Sequence, residues 1–130
     1  MITPFLTVDI SRVRNNILRM RHRAESRGLL FRPHFKTHQS MAIGRIFREL
    51  GVHAIAVSSL PMACYFAEDG WDDITIAFPF IPGQEAEIEE LAGRITLNVI
   101  TDSAESIAHL KTENPVGVFV EIDAGYRRTG

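Results

Sequence analysis

The stretch AIAVSSLPMACYFAEDGWDDITIAFPFIPGQEAEIEELAGRITLNVI, residues 54–100, decides how this chain folds. Three short β-branched runs, Ala54–Val57, Ile74–Phe78 and Ile95–Ile100, are separated by two segments with helical spacing. Ser59 and Pro61 open the first of these and Gly70 stops it. Pro82-Gly83 leads into the second, an acidic helix ending near Gly93. Strands alternating with helices imply βαβ units and a parallel sheet.

The rhythm continues outward. Upstream, after Thr7 or Asp9, Ile10, Val13, Ile17, Met20 and Ala24 recur at helical spacing, with Gly28 as a stop. Leu29–Lys36 reads as a first strand, and Ser40 caps a helix carrying Ile43, Ile46, Phe47 and Leu50 up to Gly51. Downstream, Asp102 with Glu105 forms a capping-box-like start for a helix to Leu110, and Val116–Asp123 reads as a fifth strand. Strand centres lie roughly 20–25 residues apart, the span of one strand, one helix and two short loops. An open doubly wound sheet and a (β/α)8 barrel both fit. A whole barrel takes about 250 residues, so five strands would be a partial one.

Composition sets further bounds. The 130 residues carry a formal net charge of −2, which gives no basic footprint for nucleic acid. Arginines at 12, 14, 19, 21, 23 and 27 crowd one segment and read as a solvated helix face. Cys64 stands alone, so no internal disulfide forms; it reads as a small core residue. No run is long and apolar enough for a membrane span, and no basic-then-apolar leader opens the chain, so a cytoplasmic setting is expected.

Lysine is scarce: beside twelve arginines there are two, Lys36 and Lys111. Lys111 ends a polar helix and reads as a surface charge. Strand alternation would place Arg32, His34 and Lys36 on one face, with His38 extending the row and Phe31, Pro33 and Phe35 opposite. Neighbouring positive charge and burial both disfavour an ammonium, freeing an amine as a nucleophile. Pro33 speaks against a central strand, since proline cannot donate to a ladder. Further on, Glu121 and Asp123 alternate onto one face, with Gly125, Arg127 and Arg128 following. Taken alone, the segment reads first as a solvent-exposed, salt-bridged loop; carboxylates beside arginine also suit a rigid anion- or phenolate-binding group. Metal ligation through His34 and His38 is not expected, because their spacing on a strand exit does not make them converge. No HExxH, CxxC, P-loop or GxGxxG is present.

Four segments carry a resemblance: Thr3–Asp9, Arg32-Pro-His-Phe-Lys-Thr-His38, Asp72–Pro79 with Thr101–Ser103, and Glu121-Ile-Asp-Ala-Gly-Tyr-Arg-Arg-Thr-Gly130. Together they resemble the N-terminal part of the D-threonine aldolase / D-serine dehydratase group, within the alanine racemase-like (fold-type III) pyridoxal-phosphate enzymes. The resemblance implies that residues 1–130 are one domain, the N-terminal portion of a parallel α/β (β/α)8 barrel of the alanine racemase N-terminal type. The rest of the barrel and a C-terminal β-domain would then lie outside this chain. It implies that Lys36 holds pyridoxal 5'-phosphate as a Schiff base, with His34 and Arg128 at the cofactor and Arg32, His38, Glu121 and Asp123 in support. Arg128 matches the arginine that approaches the cofactor's phenolic oxygen, and Glu121 would orient it. The ligands of any divalent metal would lie outside this chain. The implied activity is a lyase acting on small D-amino acids, aldolase or dehydratase, in a homodimer of the full-length protein. A racemase, a non-catalytic carrier of the cofactor and an inactive fragment remain open.

Overall fold

A computed structural model of the chain describes residues 3, 5–127 and 129–130. Among them run helix α1 (Ile10–Glu25), a 3-10 turn (Phe35–Thr37), α2 (Met41–Glu49), β1 (Ile55–Val57), α3 (Leu60–Glu68), β2 (Asp73–Pro79), α4 (Glu85–Ala92), β3 (Thr96–Thr101), α5 (Ala104–Ala108) and β4 (Val116–Val120). The four strands pair in parallel in chain order. This is the stave sequence of a (β/α) barrel, and no helix among the described residues is long and apolar enough to cross a membrane.

Local chemistry starts the helices. Asp9, Ser40 and Ser59 each accept a backbone N–H of the first turn of α1, α2 and α3. The last helix departs from expectation: Ser103, not Asp102, caps α5 by accepting Ser106 N–H, and the helix ends at Ala108. Thr101 Oγ1 bonds both the N–H and the carbonyl of Ser103, holding that residue in the extended conformation a cap needs.

The two strand faces do different work. Ile55, Val57, Ile74, Ile76, Leu97 and Val99 point toward the helices and are almost fully buried. Phe35, Phe66 and Trp71 complete that core, with Phe35 edge-on to both of the others. The inner face carries the rung Ala56–Thr75–Asn98–Gly117. On β4 the helix-facing row meets the core only at Val116; Val118 and Val120 are exposed, Val120 at 70%. Similarly Ile10 and Met20 of the α1 stripe are exposed, and Ile17 alone in that helix is fully buried.

The expected first strand is corrected. Residues 32–34 do run beside β1, but with one bridge, His34 opposite Ala56, and one backbone bond from Ala56 N–H to the Pro33 carbonyl at 2.9 Å. Extending that register backwards would require an N–H at residue 33, which proline lacks. After His34 the chain tightens into the 3-10 turn, so Lys36 sits on a turn rather than a strand. The expected fifth strand is also shorter, ending at Val120 instead of Asp123.

Candidate active site

The C-terminal ends of these strands open onto a cleft of about 410 Å³. His34 and Lys36 form one wall, Ala77, Phe78 and Pro79 at the end of β2 another, and the loop after β4 (Glu121, Asp123, Tyr126, Thr129) the third.

The Lys36 wall is made by a self-capped turn. His34 is its N-cap, and Nδ1 of that ring accepts the Lys36 N–H at 3.2 Å. Behind it, Gln39 takes a left-handed conformation (φ 46°) and its side chain donates to the Lys36 carbonyl. The Lys36 side chain is exposed and makes no salt bridge among the described residues. Burial, and then the Lys36 charge, lower the His34 pKa below its ordinary value, so that imidazole is neutral beside the amine.

The second wall depends on a fault in β2. Ile76 pairs with Val99 and Pro79 with Ile100, leaving Ala77 and Phe78 without partners. The irregularity turns Phe78, half exposed, toward the cleft. Sequence reading missed Phe78; Pro79 inside an apolar run was the available signal.

The third wall is a wound loop. Glu121 N–H donates to the Thr101 carbonyl at 2.7 Å, carrying the β4 direction one residue further. The Glu121 carboxylate accepts Thr129 Oγ1–H at 2.5 Å. Asp123 Oδ1 accepts the N–H groups of Gly125 and Arg127, and these bonds, Arg127 first, hold its pKa below the usual carboxylate range. Gly125 has φ 110°, and a Cβ on Gly130 would overlap the Asp123 backbone. The glycines and aspartate of this segment are thus demanded by the loop itself. Arg128 lies outside the described residues.

Lys36, His34, Glu121 and Asp123 therefore share one cleft. Arg32 and His38 do not line it. Arg32 pairs with Asp73 inside the barrel, below the cleft. His38 turns to the helix side, 4.5 Å from Phe35 and stacked on Phe47, with Nδ1 accepting the Ser40 N–H. The expected strand alternation failed there because the turn begins at Phe35.

The family model for the alanine racemase N-terminal domain matches residues 8–130. The chain belongs to the alanine racemase N-terminal domain family. Within that family it is 34% identical, over 98% of its length, to the D-threo-3-hydroxyaspartate dehydratase of Delftia sp. (strain HT23). It is 36% identical, again over 98%, to the D-serine dehydratase of Dictyostelium discoideum. It spans 35% and 36% of those two relatives, being similar to their N-terminal part. Among solved structures, a mutant D-threo-3-hydroxyaspartate dehydratase superimposes on the whole chain with a TM-score of 0.92 at 30% identity, the chain covering 35% of it. The D-threonine aldolase of Filomicrobium marinum shares the fold, with a TM-score of 0.90 at 24% identity over 98% of this chain and 37% of that one.

The residues present suit the aldehyde end of pyridoxal phosphate. A primary amine stands at the rim, a neutral imidazole beside it, and the cleft falls within the roughly 300–1,000 Å³ common for cofactor sites.

Proposed function

We propose that this chain supplies the lysine-bearing part of a pyridoxal-phosphate lyase that acts on D-amino acids carrying a 3-hydroxyl group. The observation that carries the reading is that Lys36 and Glu121, distant in sequence, line one cleft at the C-terminal ends of parallel strands. That is the end where barrels of this kind place their chemistry. Two dehydratases and a 3-hydroxy-D-aspartate aldolase among the relatives support lyase chemistry.

Lys36 Nζ would hold the cofactor's aldehyde carbon covalently. Pyridoxal phosphate, when bound, supplies an electron sink next to the substrate's α-carbon. Lys36 Nζ, when free of that bond, would be the base placed to take or return a proton at that carbon. His34, kept neutral and with Nδ1 taken by the Lys36 N–H, adds no positive charge to the wall beside the Lys36 amine. Glu121, held by Thr129, would present its carboxylate in a fixed direction at the cleft wall. Phe78 supplies an apolar flank that excludes water from one side.

Borohydride fixation tests the reading. The full-length protein, mixed with pyridoxal phosphate and reduced, should carry the label on the peptide containing Lys36 and not on that containing Lys111. Lys36→Ala should remove both label and visible absorbance. Incubation with D-serine, D-threonine and 3-hydroxy-D-aspartate then separates the chemistries: a dehydratase releases a 2-oxo acid and ammonia, an aldolase releases glycine and an aldehyde. Label on Lys111 alone, or none, overturns the proposal.

A further inference from the structure

The turn that carries Lys36 is tied to the rest of the fold by little backbone. His34, in its single bridge to Ala56, is the last residue before the turn to pair with β1. From Lys36 to Gln39, every hydrogen bond among the described residues finds its partner between residues 34 and 40. Lys36 N–H donates to His34 Nδ1, the His38 and Gln39 N–H groups donate to the Phe35 carbonyl, the Gln39 side chain donates to the Lys36 carbonyl, and Ser40 N–H donates to His38 Nδ1. These bonds give the turn its shape but not its place in the molecule. Lys36 and Thr37 are exposed, and Phe35 alone between residues 31 and 40 is fully buried.

Phe35 supplies the anchor. Its ring lies 4.5 Å from His38, 5.1 Å from Phe47, 5.0 Å from Phe66 and 5.2 Å from Trp71, tilted or edge-on to each. Phe47 belongs to α2, Phe66 to α3, and Trp71 to the loop entering β2, so one ring is gripped from three places. Aromatic pairs in such tilted arrangements attract beyond the area they bury. Gly44 of α2 completes the socket: a Cβ there would stand 3.2 Å from Phe35 Cε2, 3.4 Å from Trp71 Nε1 and 3.5 Å from Phe66 Cε1. A helix interior disfavours glycine, and here its bare face lets α2 close over the rings.

We infer that Phe35 is a positioning residue for Lys36: the seat of its ring in this socket fixes where the turn, and with it the amine, stands at the cleft wall. Neighbouring Cα atoms are about 3.8 Å apart, so a shift of the ring passes directly to the lysine backbone. A misplacement of about 1 Å at a reacting group can cost on the order of a hundredfold in rate. The anchoring of the turn stands on the packing alone; its consequence for the cofactor rests on the function proposed above.

The test uses three variants of the full-length protein. Phe35→Leu removes the ring and keeps the site apolar. Phe47→Leu thins the partly buried wall of the socket, and serves if Phe35→Leu does not fold. Leu91→Ala, buried on α4 outside the socket, controls for lost stability alone. Without cofactor, amide hydrogen exchange of residues 36–40, measured against the amides of β2, should accelerate about tenfold in Phe35→Leu, less in Phe47→Leu, and not at all in Leu91→Ala. With pyridoxal phosphate bound, Phe35→Leu should move the pH midpoint of the visible band and lower kcat about tenfold or more with KM little changed, while Leu91→Ala should leave the midpoint in place. Wild-type exchange in both ring variants, or equal acceleration in Leu91→Ala, overturns the anchoring. Faster exchange beside a wild-type band and wild-type kcat confines Phe35 to holding the fold and overturns its positioning role. If the wild-type protein takes no cofactor on Lys36, the proposed function fails instead, and the exchange rates still decide whether Phe35 anchors the turn.

Discussion

Arg32 grips Asp73 with two guanidinium nitrogens, at 2.7 Å and 3.1 Å to the two carboxylate oxygens. The pair ties the segment leading into Lys36 to the first residue of β2, bypassing the short β1 between them. It replaces the backbone ladder that Pro33 forbids. Both side chains are partly shielded, at 21% and 32% exposure, and a two-pronged guanidinium pair is more directional than an ammonium contact.

Arg32→Lys should therefore cost about 1 kcal/mol in urea unfolding although the charge is kept. Arg32→Ala with Asp73→Ala should cost less than the sum of the two single changes. Additive single effects in that double-mutant cycle would refute a direct coupling.

Gly117 faces Asn98 so closely that a Cβ there would overlap the amide oxygen. Gly117→Ala should destabilise by about 1–3 kcal/mol through this overlap. Adding Asn98→Ala should recover part of the loss. No recovery would mean that the clash is with backbone instead.

His38 gives the fold a pH dependence. Burial is the main reason its pKa lies below the ordinary 6.5, and protonation would also take away the acceptor for Ser40 N–H. The unfolded chain binds the proton more readily, so stability is full above about pH 6.5 and falls as pH drops below it. His34, lowered chiefly by burial, adds in the same direction. Denaturant midpoints between pH 8 and pH 5 should show the decline, and His38→Asn, which keeps an acceptor but does not titrate, should flatten it.

Glu121→Gln keeps an oxygen for Thr129 and removes the charge. It should leave stability nearly unchanged, alter the cofactor's visible spectrum, and lower kcat/KM roughly tenfold or more, about 1.4 kcal/mol or more of barrier. Wild-type spectrum and turnover together would refute an orienting role for Glu121.

The 130-residue chain by itself leaves Val118, Phe119 and Val120 of edge strand β4 open to solvent. It should bind a hydrophobic dye and self-associate at micromolar concentration. Val120→Lys should reduce both, as measured by fluorescence and light scattering; a monomeric chain that binds no dye would count against an open β4 edge.

Much of this molecule follows from local chemistry that is written along the chain. Helix starts at Asp9, Ser40 and Ser59 need only a side-chain acceptor beside free N–H groups, and the β-branched runs at 55, 74, 97 and 116 need only alternation. The scarcity of lysine singled out Lys36 without any coordinates. What the chain pattern could not convey depends on contacts between distant segments. Pro33 signalled trouble for the first strand, but that Lys36 rides a 3-10 turn, that His38 faces the aromatic core and that Arg32 is committed to Asp73 are outcomes of packing around Phe35 and β2. The bulge that presents Phe78 and the unbonded Thr75 hydroxyl belong to the same class. Periodicity assigns a residue to a face of its own element; what lies opposite that face is decided only when the strands are brought side by side.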